Sequence, residues 1–455
     1  MEPALREEKS FSCCLFSFKN TNDRTTIQQD CVKKVSFTAI MKIQQKKQFY
    51  LILILGLLSA VGPFSIDMYL PGFPSIAADL HTNVARISLS LSSFFIGISA
   101  GQFIYGPLLD RFGRKKPLYI GLSIYLLASI GCALVVSANQ LIVLRLFQAL
   151  GGCAGMVASR AMVRDLFAVH ENAKIFSLLM LVVGVSPIIA PTLGGYITAS
   201  FGWKYIFIVL SLMAAGILAA VHLLLPESRP PDQSVQLGPK PIIIGFIRVL
   251  KEPQFYTYAF TGSIASAGLY AYIAGSPYVF MELYKVSEKQ YGWIFAIIAM
   301  GLIGASQLNS VLLKNYKSEQ IIKVALRTQS LVGISLFTGT MLGWLDLFSS
   351  IFFIFLFLIC QGFTFPNSSA LSLAPFTRNA GSASALLGGI QMSIGAGTSA
   401  IVSVLHNHTA LPMTGVMACC AISSVCILTV GSRIIKYRAS TLEVEEQSAE
   451  MITTS

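Results

Sequence analysis

The chain has 455 residues, 54% of them hydrophobic and 12% charged, with a formal net charge of +12. Soluble domains carry about 25% charged residues, so a chain this poor in charge, with mean hydropathy +0.68, has too little polar surface for a water-soluble globule. Nor does the positive balance point to nucleic acid, because Lys and Arg sit in short clusters between apolar runs, where they orient spans in a bilayer.

Residues 1–47 are polar and basic, with Lys33, Lys34, Lys42, Lys46 and Lys47, and lack a cleavable signal pattern. They are expected to form a disordered cytoplasmic extension, and translation starts at Met1 and at Met41 both fit. Twelve apolar runs follow, at 49–68, 84–106, 117–137, 141–163, 174–198, 203–225, 255–281, 291–313, 320–343, 348–374, 382–404 and 413–433. Each approaches the roughly 20 residues a helix needs to cross about 30 Å of hydrocarbon. Lipid cannot satisfy an exposed backbone, and the alternation of membrane strands is missing, so helices are predicted. One set of loops holds Lys42, Lys46, Lys47, Arg111, Arg114, Lys115, Lys116, Arg164, Lys174, Arg248, Lys251, Lys314, Lys317, Arg378, Arg433, Lys436 and Arg438, whereas the alternate set holds Arg86, Lys204, Lys285 and Lys289. The positive-inside rule and an even number of spans both place the termini in the cytoplasm. The expected organisation is a six-helix bundle at 48–225, a polar, proline-punctuated linker at 226–254 with a short amphipathic helix near Ile242–Leu250, a second bundle at 255–433, and a tail at 434–455. That tail turns acidic at Glu443, Glu445, Glu446 and Glu450, and is expected to be disordered.

In chain order, Asp67 is the first residue that demands a reason. It closes an apolar run, where an ionisable group costs roughly 2.5–3.5 kcal/mol at membrane depth. A proton-carrying site and a carboxylate at the membrane interface are both compatible with its place. Between spans two and three stands Gly106-Pro-Leu-Leu-Asp110-Arg111-Phe-Gly113-Arg114-Lys115-Lys116. Gly106 is expected to let helices approach, Gly113 to permit a tight turn, and the mixed charges to pair. Span four carries Arg145, three residues before Gln148; a buried guanidinium must find a carboxylate, carbonyls or water, in a transport role or a structural one. Span five contains Pro187, Pro191, Gly194 and Gly195, which should kink the helix and thin one face. Tyr69, Tyr270, Tyr272 and Tyr278, with Gln148, Asn309, Gln361 and Asn367, are candidates to line a cavity for moderately hydrophobic or cationic small molecules. The nine cysteines show no disulfide or zinc spacing, and His406 and His408 at i, i+2 are weak metal ligands. With no phosphate-binding loop, nucleophile elbow or zinc helix, no cofactor, metal or enzymatic activity is expected.

The 106–116 segment resembles the loop signature of the major facilitator superfamily, G-x-L-x-D-R-x-G-R-K-K, at every fixed position. Arg145 to Gly151 is similar to the family's span-four motif R-x-x-Q-G-x-G, with Ala149 in place of Gly. Gly184 to Gly195 resembles its antiporter motif, with Ala190 in place of the Gly before Pro. Together with Ile66–Pro71, Tyr272–Phe280, Pro366-Asn367 and Ala380–Gly388, these segments resemble the Bcr/CflA-type drug-resistance transporters over residues 49–433. The resemblance implies an all-α integral membrane protein with twelve transmembrane helices in two pseudo-symmetric six-helix bundles. It implies a proton-coupled antiporter, acting as a monomer in the bacterial inner membrane, that exports drug-like hydrophobic or cationic molecules. A metabolite, amino-acid or peptide carrier of the same fold is the alternative. Asp67 and Arg145 would couple the proton; Gly106, Asp110, Arg111, Gly113 and Arg114 would gate, with Asp110 facing the helix start near Ser382 and Asp165 partnering Arg114. Pro187, Pro191, Gly194 and Gly195 would serve antiport.

Overall fold

The computed structural model describes residues 48–167, 169–233, 239–376 and 380–453, so the expected N-terminal extension and Arg378 lie outside the described residues. Among the described residues every regular element is helical. Helix α1 (48–67) ends at Pro71 in a 3-10 turn, Leu70–Gly72, and resumes as α2, Phe73–Asp79. Then come α3 (Val84–Phe112), α4 (Lys115–Ala133), α5 (Ala138–Leu166), α6 (Val169–Phe201) and α7 (Lys204–Leu224). A short α8 (Pro239–Leu250) precedes α9 (Pro253–Pro277), which a π-helical turn, Tyr278–Leu283, extends. The second half closes with α10 (Glu288–Leu312), α11 (Ser318–Met341), α12 (Leu347–Leu373), α13 (Ala380–Val404) and α14 (Leu411–Thr453).

Local chemistry sets these boundaries. Asn83 accepts a hydrogen bond from the Arg86 amide at 2.8 Å to start α3, and Ser287 and Gln290 make a capping box at the start of α10. Gly113 ends α3 at φ +81°, a conformation that favours glycine. One expectation differs. Helix α14 continues through the acidic tail to Thr453, because Leu, Glu, Gln and Ala are good helix formers and neither Gly nor Pro interrupts them. Helix α6 carries Pro187 and Pro191 in its interior.

Among the described residues, eleven helices are long and apolar enough to cross a membrane. The twelfth expected span, α9, falls short because it carries Thr257, Thr261, Ser263, Ser266 and Ser276. It is buried on nearly all faces among α12, α13 and α14, so protein rather than lipid surrounds it. Within the first half α5 packs on α3 and α4, and α4 on α7; within the second, α9 packs on α12, α13 and α14. The halves meet at two seams, α3 on α13 and α6 on α10, the second span on the eleventh and the fifth on the eighth. Those pairs exchange under a twofold axis that swaps the halves, as expected for repeated bundles.

Glycine permits a close crossing of α4 and α5 in the first half. A Cβ on Gly121 would collide with Ala154 and stand 2.9 Å from the Gly151 carbonyl, whereas one on Gly304 would meet nothing within 4 Å. Gly121→Val is therefore expected to destabilise the protein by about 1–3 kcal/mol. Gly304→Ala should leave it unchanged or stabilise it by up to about 1 kcal/mol. Thermal unfolding of the detergent-purified variants measures both.

Candidate functional site

The 106–116 loop builds a charged knot at one end of the first half, here called the loop end. The Arg114 guanidinium donates from Nη1 to Asp110 Oδ1 and from Nε to Asp165 Oδ2, both at 2.7 Å. Burial opposes the charge on Arg114, but the hydrogen bonds it donates to Asp165 and Asp110 outweigh it and raise the guanidinium above its usual range. Three residues after α7 complete the knot, none of them singled out from sequence. The Glu227 carboxylate accepts the amides of Arg114 at 2.6 Å and Lys115 at 3.1 Å, capping the positive N-terminus of α4. Ser228 donates to Asp165 at 3.0 Å, and Arg229 stands 3.6 Å from Asp110. Arg111 donates to the Gln233 carbonyl at 3.2 Å. The described bonds of Asp110 thus run to the first half and to the start of the linker; the expected contact near Ser382 adjoins residues 377–379, outside the described residues.

At the loop end the seams are uneven. No atom of another element lies within 4 Å of a Cβ built on Gly106, Gly304 or Gly381, and the nearest to one on Gly184 is Ile303 at 4.0 Å, so the α6–α10 seam loosens there. This corrects the expectation for Gly106: its open side brings no helices together, and the α3–α13 contact is made instead by Phe103 against Ala383, Leu386 and Leu387. At the opposite, far end the halves are sealed. A side chain on Gly194 would collide with the Met68 carbonyl, one on Gly195 with the Glu288 carbonyl, and one on Gly292 would stand 2.7 Å from the Pro191 carbonyl. The antiporter-like segment is therefore where the end of α1, helix α6 and the start of α10 meet backbone to backbone. Ser75 donates to Glu288 at 3.3 Å, Ser88 to the Ala274 carbonyl at 3.0 Å and Ser92 to Ser399 at 3.0 Å, all across the halves. Tyr69, Phe73, Tyr272, Phe280 and Tyr291 fill one apolar core common to both halves.

Arg145 and Asp67 lie near this seal but are not brought together. Arg145 is fully buried; Nη1 donates to Gln148 Oε1 at 2.6 Å and Nη2 to the Ser65 carbonyl at 2.9 Å, while Nε has no hydrogen-bond partner. Its guanidinium lies 4.2 Å from the Phe94 ring centre and 4.6 Å from that of Tyr69. No carboxylate among the described residues pairs with it. Ser65 turns toward the first half, its hydroxyl 2.6 Å from that of Tyr125. Two residues later along a helix is a rotation of about 200°, and Asp67 accordingly faces away from Arg145, within Coulombic reach of Tyr272 and Tyr291 of the second half. Asp67 is 5% exposed and has no hydrogen-bond or ion-pair partner among the described residues; the buried Tyr272 hydroxyl has no hydrogen-bond partner either.

The second half repeats the Arg145 neighbourhood without its charge. Gln148 donates to Ser129 at 2.8 Å; correspondingly Gln361 donates to Ser266 at 2.7 Å and accepts from Gln329 at 3.3 Å. Leu358 stands three residues before Gln361, as Arg145 stands before Gln148. Asn367 donates to Asn309 at 2.6 Å. Of the tyrosines, Tyr270 packs edge-on to Phe95 across the halves, ring centres 4.9 Å apart, and half-buried Tyr278 meets His406 at the far end. Most of the expected cavity groups are thus packed and bonded in this conformation. Loss of the α4 cap in Glu227→Ala is expected to lower stability by about 0.5–2 kcal/mol, with Glu227→Gln between it and the parent, in denaturant titrations.

Residues 55–400 match the family model described as Major Facilitator Superfamily. The chain is 33% identical over 374 residues to an uncharacterized MFS-type transporter, YdgK, of Bacillus subtilis (82% of this chain, 92% of that protein). It is 32% identical over 382 residues to a bicyclomycin resistance protein homolog of Haemophilus influenzae (84% and 96%) and 26% identical to multidrug resistance protein D of Escherichia coli (82% and 92%). Among solved structures, an inward-facing, unoccupied bacterial homolog of the human lysosomal transporter Spinster superposes with a TM-score of 0.65 at 15% identity (85% of this chain, 95% of that one). A D-xylose-proton symporter gives 0.65 at 13% identity (84% and 97%). Both likenesses are of fold. The chain belongs to the major facilitator superfamily and is a multi-pass membrane transporter rather than an enzyme.

Proposed function

We propose that this major facilitator is a proton-coupled antiporter that exports small hydrophobic or cationic drug-like molecules, Asp67 carrying the exchanged proton. The observation that carries the reading is Asp67 itself: a carboxylate buried where the halves meet, without a protein partner. Its neutrality then comes either from a bound proton or from the cargo. Competition between the two at one site is what antiport requires, since proton and cargo must bias the same two-state body in opposite directions.

Export is supported by the antiporter-like packing of Gly194 and Gly195 and by relatives named for drug resistance. The basic loops favour a cytoplasmic loop end, which makes the looser side cytoplasmic and the sealed side outer, in a bacterial inner membrane with both termini inside. The bundles 48–225 and 255–433 rock about the two seams, joined by the 226–254 linker, and the protein works as a monomer. In the first bundle the Asp110, Arg114, Asp165 and Glu227 knot holds α3, α4 and α5 as one rigid body, so that separation occurs at the seams and not within the bundle. Arg145 fixes the end of α1 through the Ser65 carbonyl, and thereby positions Asp67 two residues on.

In everted vesicles, Asp67→Asn is expected to abolish uptake driven by a pH gradient while the purified variant keeps its melting temperature, because no bond is lost. Uptake equal to that of the parent would refute the reading. Asp110→Asn and Gly113→Leu are expected to cut the transport rate at least about tenfold with unchanged membrane abundance; loss of the protein from the membrane would instead assign those residues to folding.

A further inference from the structure

Helix α8 of the linker carries large apolar side chains on two sides, and protein covers one of them. On the inner side Val249 is fully buried, and with Phe246 it packs in one cluster with Phe255 of α9 and with Ala383, Leu386 and Leu387 of α13. The Phe246 ring also stands edge-on to Phe103 of α3, centres 5.4 Å apart, so α8 lies over the α3–α13 seam. On the outer side Ile243, Ile244 and Ile247 are 52%, 58% and 48% exposed. Three isoleucines grouped on one face of a 12-residue helix mark an interaction surface.

The helix beneath α8 identifies what covers that surface. Residues seven apart on a helix drift only about 20° around it, so Ala383, Ile390, Gly397 and Val404 form one stripe of α13. Ala383 and Ile390 lie in the cluster under α8. Farther along the same stripe Gly397 has no atom within 4 Å of a built Cβ, and Val404 is 74% exposed. A bare apolar stripe on a spanning helix is its lipid-facing side. Over about the first 15 Å of α13, then, α8 occupies ground that lipid holds beyond it. Its outer face continues the flank of the bundle, where acyl chains are, and not the end, where a soluble partner would dock. The charges agree. Arg248 follows Ile244 and Lys251 follows Ile247, each at i+4, and both are exposed. Neither side chain makes a hydrogen bond or an ion pair among the described residues, neighbouring Glu252 included. Their long stems can lie along apolar surface while the charged heads reach the headgroups.

We propose that α8 is an in-plane helix of the loop-end leaflet, with Ile243, Ile244 and Ile247 sunk among acyl chains and Arg248 and Lys251 on the phosphates of anionic phospholipid. The inference goes beyond the transport reading and depends on neither cargo nor proton. It gives the linker a partner, the bilayer itself, at the seam where α3 of the first half meets α13 of the second.

Two measurements on the full-length protein in lipid nanodiscs test this. In the first, amide hydrogen exchange of α8 is compared between discs of phosphatidylcholine alone and discs of equal parts phosphatidylcholine and phosphatidylglycerol. Exchange should be at least about tenfold slower in the anionic discs, two basic groups near a charged surface being enough for that ratio. The ratio should fall to near unity when Arg248→Gln and Lys251→Gln are combined, and persist when Arg248→Lys and Lys251→Arg are combined. Phe246→Ala, which loosens the grip on protein, should speed exchange in both discs and leave the ratio unchanged. In the second, the emission added by Ile247→Trp should be quenched by lipids brominated on their acyl chains and not by aqueous iodide. Equal exchange in the two discs, or a ratio that survives the double Gln substitution, overturns the assignment of anionic lipid. Quenching by iodide without quenching by brominated lipid overturns the in-plane helix and gives the face to a soluble partner. Failure of drug export in vesicles would leave both measurements standing.

Discussion

A charge among apolar helices must be compensated, and Arg145 and Asp67, both buried in this bundle, meet that demand in different ways. Arg145 is satisfied by protein, through the Gln148 oxygen, the Ser65 carbonyl and the faces of Phe94 and Tyr69. Asp67 has no protein partner, and its compensation must come from what the protein carries. A fixed cation can anchor a bundle; an acid that can neutralise itself can count protons. The division of labour follows from the chemistry, since a guanidinium has no accessible neutral form and a carboxylate has one.

The two halves supply the motion that makes such an acid useful. They share a helical plan and related buried polar networks, one around Gln148 and one around Gln361, but the charge sits only in the first. At the far end, glycines on α6 and α10 let backbones touch, and five aromatic side chains from both halves merge into one core. A core shared in this way is either packed or parted, with little between, because close-packed interiors do not deform continuously. At the loop end a smaller apolar cluster, Phe103 against Ala383, Leu386 and Leu387, holds the α3–α13 seam, and polar bonds order α3, α4 and α5 with the first residues of the linker.

Much of this was legible along the chain. The twelve runs, the turn at Gly113 and the prominence of Asp67 and Arg145 can be read from residue types and spacing. Glu227, Ser228 and Arg229 were not singled out, although an acid-base run in a proline-rich loop was a signal that could have found them. The span read at 255–281 is α9, which is less apolar than the others because protein rather than lipid wraps it.

The sequence by itself determined the number of spans, the places where they stop and which residues carry unusual chemistry, because those follow from the cost of exposing backbone and charge to hydrocarbon, one segment at a time. Only the tertiary structure decided that Arg145 and Asp67 turn away from each other, that Gly106 faces open space while Gly194 and Gly195 touch backbone, and that Glu227 caps α4 from 112 residues away in the chain. These are matters of which helix face meets which neighbour. That choice depends on packing among segments far apart in the chain, which no local pattern encodes.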